Sequence, residues 1–126
     1  MIDIARQVAY WRDGAHEDWV VAQDLIAQGR ARHALFFAHL AIEKALKAHV
    51  CRQTNDLAPR LHNLIRLADL GDVHPSEDYE DVLAEMNAFN LEGRYPDMLT
   101  PPPSEAEARD YLTRAEEVLQ WLLNQL

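Results

Sequence analysis

The 126-residue sequence has one cysteine, four glycines and no apolar run approaching the roughly 20 residues needed to span a bilayer. Cys51 alone can form no internal disulfide and excludes a thiolate-rich zinc site. The opening MIDIARQVAYWRDG lacks the apolar stretch behind a basic start that marks a secretory signal. A cytoplasmic chain without membrane contact is therefore expected. Gly-rich phosphate loops, HExxH and GxSxG are all missing, so no generic enzyme signature is present and no cofactor is implied. His39 and Glu43 stand four apart, but no second such pair completes a metal site, and none is expected.

Positive charge is also scarce. Twelve Lys and Arg stand against 21 Asp and Glu, a net charge of −9. Coating of nucleic acid by the whole surface is excluded on that ground, because phosphate binding needs surplus positive charge. The imbalance is not uniform. Residues 30–66 carry seven basic and two acidic groups, whereas residues 72–126 carry three basic and thirteen acidic ones. A local anion site within the middle segment is compatible with an acidic protein, since the local field governs a cleft. Solvated helix faces account for the same charges.

What is there is ordinary globular composition, 48% apolar and 26% charged, with length for one domain over residues 1–126. Ile4, Val8, Trp11, Ala15, Trp19, Ala22 and Ile26 step by three or four and predict a helix to Gly29. Leu35, Ala38, Ile42, Ala45, Leu46 and His49 predict a second. Leu61, Leu64, Ile65 and Ala68 predict a third with Pro59 in its first turn. Ser76, followed by acidic residues, predicts the start of a fourth that runs through Phe89 toward Gly93. Ser104 and Glu107 form a capping box for the last. Between them lie four prolines within residues 96–103, an extended stiff loop. The expected architecture is an all-α, up-and-down bundle of four or five helices.

Several residues carry possible chemistry. Arg32 and His39 share a helix face but sit ~10 Å apart along it, too far for one phosphate. Glu43 and Lys47 at i, i+4 are read as a solvated ion pair, with His39 at the core edge one turn before. In Arg94-Tyr95-Pro96-Asp97 the proline fixes backbone geometry, and Arg94 is suited to bidentate recognition of phosphate or carboxylate. Arg94 and Asp97 are equally suited to satisfying backbone groups where the fourth helix ends.

Three ordered segments resemble the HEPN family, small all-α proteins often encoded beside minimal nucleotidyltransferases. Phe36 to Ala48, FFAHLAIEKALKA, is similar to that family's second-helix segment. His62-Asn63-Leu64 with Leu67 is similar to its H-[SDN]-[IL]-xxL element, and Arg94 to Asp97 to the RYPD signature of one subgroup. The resemblance implies a HEPN-like bundle, a homodimer, and a cleft for nucleotide or RNA. It also implies a minimal nucleotidyltransferase partner in a toxin–antitoxin-like pair. Family nucleases place a histidine four to six residues after an arginine in the C-terminal half, and here no histidine follows His74. A noncatalytic binding module is therefore expected, with Glu43, Lys44, Lys47, His62, Arg94, Tyr95 and Asp97 as ligand-binding residues. The alternative is a metal-independent endoribonuclease built across a dimer from His39 or His62 with Arg94. Trp11, Trp19, Trp121 and Phe36-Phe37 exceed what one small bundle must bury, which also favours a dimer.

Overall fold

A computed structural model of the chain describes residues 1–90 and 103–126. Five α-helices account for most of them: α1 (Ile4–Ala27), α2 (Ala31–Thr54), α3 (Leu64–Leu70), α4 (Glu77–Met86) and α5 (Glu105–Leu123). A 3₁₀ turn, Asn87–Phe89, follows α4, and no strand occurs among the described residues. The expected all-α architecture is the observed one.

The first connection is short because its ends are chemically complete. Gly29 takes φ 75°, a conformation that costs a side-chain-bearing residue energy and costs glycine little. The Gly29 amide donates to Ile26 and the Arg30 amide to Leu25, which satisfies the last carbonyls of α1. α2 begins at once and packs along α1. It is the central helix, and Leu35, Ile42 and Leu46 are fully buried on it. Its alanines at 34, 38, 41, 45 and 48 are buried as well, so neighbours approach its backbone on several sides. Asn55 ends it in the left-handed conformation.

α3 starts later than its apolar spacing suggests. Pro59 and Leu61 lie in the connector, and Asn63 caps the helix by accepting the Arg66 amide at 3.1 Å. The Leu64 amide is taken by the Asn87 side chain at 2.8 Å. α4 stops at Met86, although continuation through Phe89 was expected; Asn87–Phe89 form a 3₁₀ turn, and the Asn87 side-chain oxygen ties that turn to the start of α3. Ser76 caps α4, and the Ser104–Glu107 capping box of α5 forms in both directions at 3.1 and 3.0 Å. Arg114 of α5 reaches Glu85 of α4 at 2.6 Å.

The end of α5 is sealed by α2. His49 Nε2 donates to the Leu122 carbonyl at 2.9 Å, and Arg52 donates to the Gln125 carbonyl at 2.6 Å. Arg52 also donates toward His49 Nδ1 at 3.3 Å, which leaves the ring's proton on Nε2. The other side of His49 is closed by Gly71. A Cβ at residue 71 would stand 3.1 Å from His49 Cβ and 3.3 Å from two backbone atoms, Leu67 O and Val50 N. Backbone cannot give way as a flexible side chain does, so Gly71→Ala is expected to lose about 1–3 kcal/mol of stability. Urea unfolding of that variant beside the parent measures it.

Of the aromatic residues singled out from composition, Trp19 is enclosed, whereas Trp11, Phe36, Phe37 and Trp121 are partly exposed. Trp121 meets Tyr79 edge-on at 5.5 Å, and Phe36 meets Phe37 at 5.6 Å. Among the described residues, Tyr10, Val20 and Leu57 are the large apolar side chains with most exposure after the first residue.

Candidate functional site

Glu43, one of the charged residues buried on α2, is the centre of the polar cluster. Its Oε2 accepts from Lys47 Nζ at 3.1 Å, and its Oε1 accepts from His62 Nδ1 at 3.0 Å. His39 Nδ1 lies 3.9 Å from the same Oε1. On the far side, Lys47 Nζ stands 5.2 Å from the centre of the Trp11 ring, whose π face adds to its stabilisation. Glu43 and Lys47 were expected as a solvated surface pair. They are 4% and 6% exposed, because α1 supplies Trp11 above them and the connector after α2 supplies His62 beside them. Two charges withdrawn from water are tolerable only when paired and hydrogen-bonded, and this pair is both.

The members differ in access. His39 is fully buried and neither ring nitrogen has a hydrogen-bond partner. Burial, the largest influence, pushes its pKa below the ordinary histidine value, against the pull of the Glu43 carboxylate and the nearby His62 main chain. The His62 side chain is 59% exposed. With Nδ1 committed to Glu43, its Nε2 is the ring nitrogen left for an external group. Cys51, one turn beyond Lys47, is buried, and burial raises its thiol pKa, so it is a neutral core side chain rather than a nucleophile.

Lys44 does not join this cluster. It pairs with Asp18 of α1 at 2.8 Å, and its stem packs where a Cβ on Gly14 would come within 3.1 Å. Neither Lys44 nor Lys47 is therefore a free cation, contrary to the charge reading of residues 30–66. Arg60 and Arg66, exposed and without an ion pair among the described residues, flank His62 in sequence instead. Arg94, Tyr95 and Asp97 lie outside the described residues. Among the described residues no group of His, Cys, Asp and Glu is arranged to hold a metal.

One participant escapes a reading of motifs alone. Trp11 belongs to the apolar stripe of α1, and nothing in its spacing marks it as a lid over a lysine. The signal for burial of the pair was present nonetheless: His39, Glu43, Lys47 and Cys51 recur every fourth residue on a helix with apolar residues on its other faces.

A small all-α bundle with a buried carboxylate–lysine pair on its central helix, and a histidine clamped to it from a connector, is the class these features define. A family model for the HEPN domain matches residues 8–126, and the chain belongs to that family. A crystallised protein of Thermus thermophilus is similar in fold at TM-score 0.78, with 26% identity over 95% of this chain and 98% of that one. The crystal structure of an archaeal HEPN homologue is similar at TM-score 0.73, with 22% identity over 94% and 96% of the two chains, a likeness of fold. No curated protein matches the chain. No helix of the described residues is long and apolar enough to cross a membrane.

Proposed function

We propose that this HEPN protein is a noncatalytic binding module for a phosphate-bearing ligand, a nucleotide or RNA. In this reading it acts as a homodimer with a minimal nucleotidyltransferase in a toxin–antitoxin-like pair of the RYPD subgroup. The observation that carries the reading is the His62–Glu43 hydrogen bond at 3.0 Å. It fixes a half-exposed imidazole with Nε2 outward, in a stretch that also displays Arg60 and Arg66. An imidazole held this way donates to an anion at little ordering cost, and two arginines supply the charge. Glu43 and Lys47 act from beneath as positioning residues, and Arg94, Tyr95 and Asp97 are proposed to complete the site.

Binding of a labelled RNA oligonucleotide and of ATP, followed by anisotropy and by melting shift, tests this. Loss of one charge-assisted hydrogen bond predicts a ten- to hundredfold weaker complex for His62→Ala. Arg60→Ala should weaken binding with little change in melting temperature, since that side chain is exposed. Absence of any shift with nucleotide, RNA or co-purified protein overturns the proposal.

The same carboxylate–imidazole pair favours one second reading, an endoribonuclease in which His62 moves a proton at the 2′-oxygen and Arg94 stabilises the phosphorane. His39 is too enclosed in this arrangement to touch a substrate. RNA cleavage that survives chelator and is lost in both His62→Ala and Arg94→Ala selects that reading. Intact RNA at micromolar protein eliminates it.

A further inference from the structure

We propose that His39 is a proton-operated release for the connector of residues 55–63: a proton taken up by its ring opens the connector from α2 and admits water to the Glu43–Lys47 pair. The closed arrangement requires a neutral His39. The ring is completely enclosed, and both nitrogens lack hydrogen-bond partners. Protonation makes both nitrogens donors. The acceptors at hand are poorly placed: Glu43 Oε1 is 3.9 Å from Nδ1 and already serves His62, and the His62 main chain, although it favours the charged ring, makes no hydrogen bond to either nitrogen in the closed arrangement. A buried cation with unmet donors is expensive, so the charged ring favours any state that wets it.

The connector is the element able to yield. It carries His62, whose main chain covers His39 and whose side chain holds Glu43. That bond is the one long-range side-chain hydrogen bond made by residues 55–63 among the described residues; the Asp56 side chain only turns back to the Leu57 amide. Asn55 at φ 54° and the Asn63 cap bound the segment at its two ends, and Leu57 is exposed within it. The charged groups acting on His39 are Glu43 and Lys47 from α2 and His62 from the connector; α1 presents the uncharged Trp11 over Lys47. Enclosure, the largest influence, opposes the proton together with Lys47 and His62, and outweighs Glu43 and the His62 main chain, which favour it.

Hydrogen exchange at residues 55–63 between pH 7.5 and 5, corrected for intrinsic rates, is the test. Opening linked to one proton should increase up to about tenfold per pH unit below the onset, while α5 amides keep their protection. His39→Gln should flatten that dependence. His62→Gln, which loses the imidazole–carboxylate clasp but keeps His39, should exchange faster at every pH and still respond to acid. Ring ¹⁵N shifts of the unsubstituted chain assign the proton independently, and His39 should titrate at the midpoint of opening. Unchanged protection of 55–63, an equal response in His39→Gln, or His62 alone titrating at the midpoint overturns the proposal.

Discussion

Glu43→Ala is expected to cost about 3–5 kcal/mol of folding stability, the range for breaking a buried ion pair by removing one partner. The residue is 4% exposed, and its loss leaves the Lys47 ammonium enclosed with only the Trp11 ring as partner, while His62 loses its acceptor. The complementary variant separates the cost of a broken pair from the worth of an intact one. Glu43→Leu combined with Lys47→Met replaces both charges with apolar groups of similar volume and should recover most of the lost stability. Urea midpoints of parent, single and double variants give the comparison. His62 in the double variant has no carboxylate to orient it, so ligand binding should stay weak although the fold is restored. A double variant as unstable as Glu43→Ala would mean that the paired charges and their hydrogen bonds, rather than the volume they fill, hold the cluster together.

The second large effect is acid sensitivity, with its source inside the core rather than on the acidic surface. His39 and His49 are both buried, and burial is the first cause of a lowered pKa in each. At His49 the Leu122 carbonyl opposes the shift and the Arg52 charge adds to it. An unfolded histidine takes its proton near pH 6.5 and these folded ones take theirs lower. Below about pH 6.5 the unfolded state therefore binds more protons, and stability falls as pH falls through the folded values. Above pH 6.5 the contribution is fully present. Each histidine supplies a slope of up to about 1.4 kcal/mol per pH unit. Urea midpoints from pH 7.5 to 5 should drop accordingly, and His39→Gln should remove one histidine's share of the slope. The effect at His49 is read at the end of α5, where protonation places a second cation beside Arg52.

The fold was legible where local chemistry and burial agree. The stripe from Ile4 to Ile26, the Gly29 break, the Ser76 cap and the Ser104–Glu107 box all appear where spacing places them, because each involves residues within a turn or two of one another. Pro59 misled because its fixed φ suits a connector as well as a helix start, and the deciding bond came from Asn87, 23 residues beyond Leu64. The polar cluster was half legible. Glu43, Lys47 and His62 stood out as residue types and motif members, and they do meet. Their burial was not, since it depends on Trp11 from another helix, and Lys44 went to Asp18 for the same reason. Periodicity along one helix says which residues share a face, not what a neighbouring helix lays over it.

The glycine turn between α1 and α2 has a kinetic counterpart. These two 24-residue helices are adjacent in sequence and joined by a few residues, so their mutual contacts close short loops. The bond from His49 to Leu122 closes a loop of 73 residues. Loop-closure entropy grows with length, and contacts local in sequence form faster. The α1–α2 hairpin is therefore expected to form early. The clasp of α2 on α5 is the late step, so substitutions at His49 and Arg52 should speed unfolding while leaving the folding rate almost untouched.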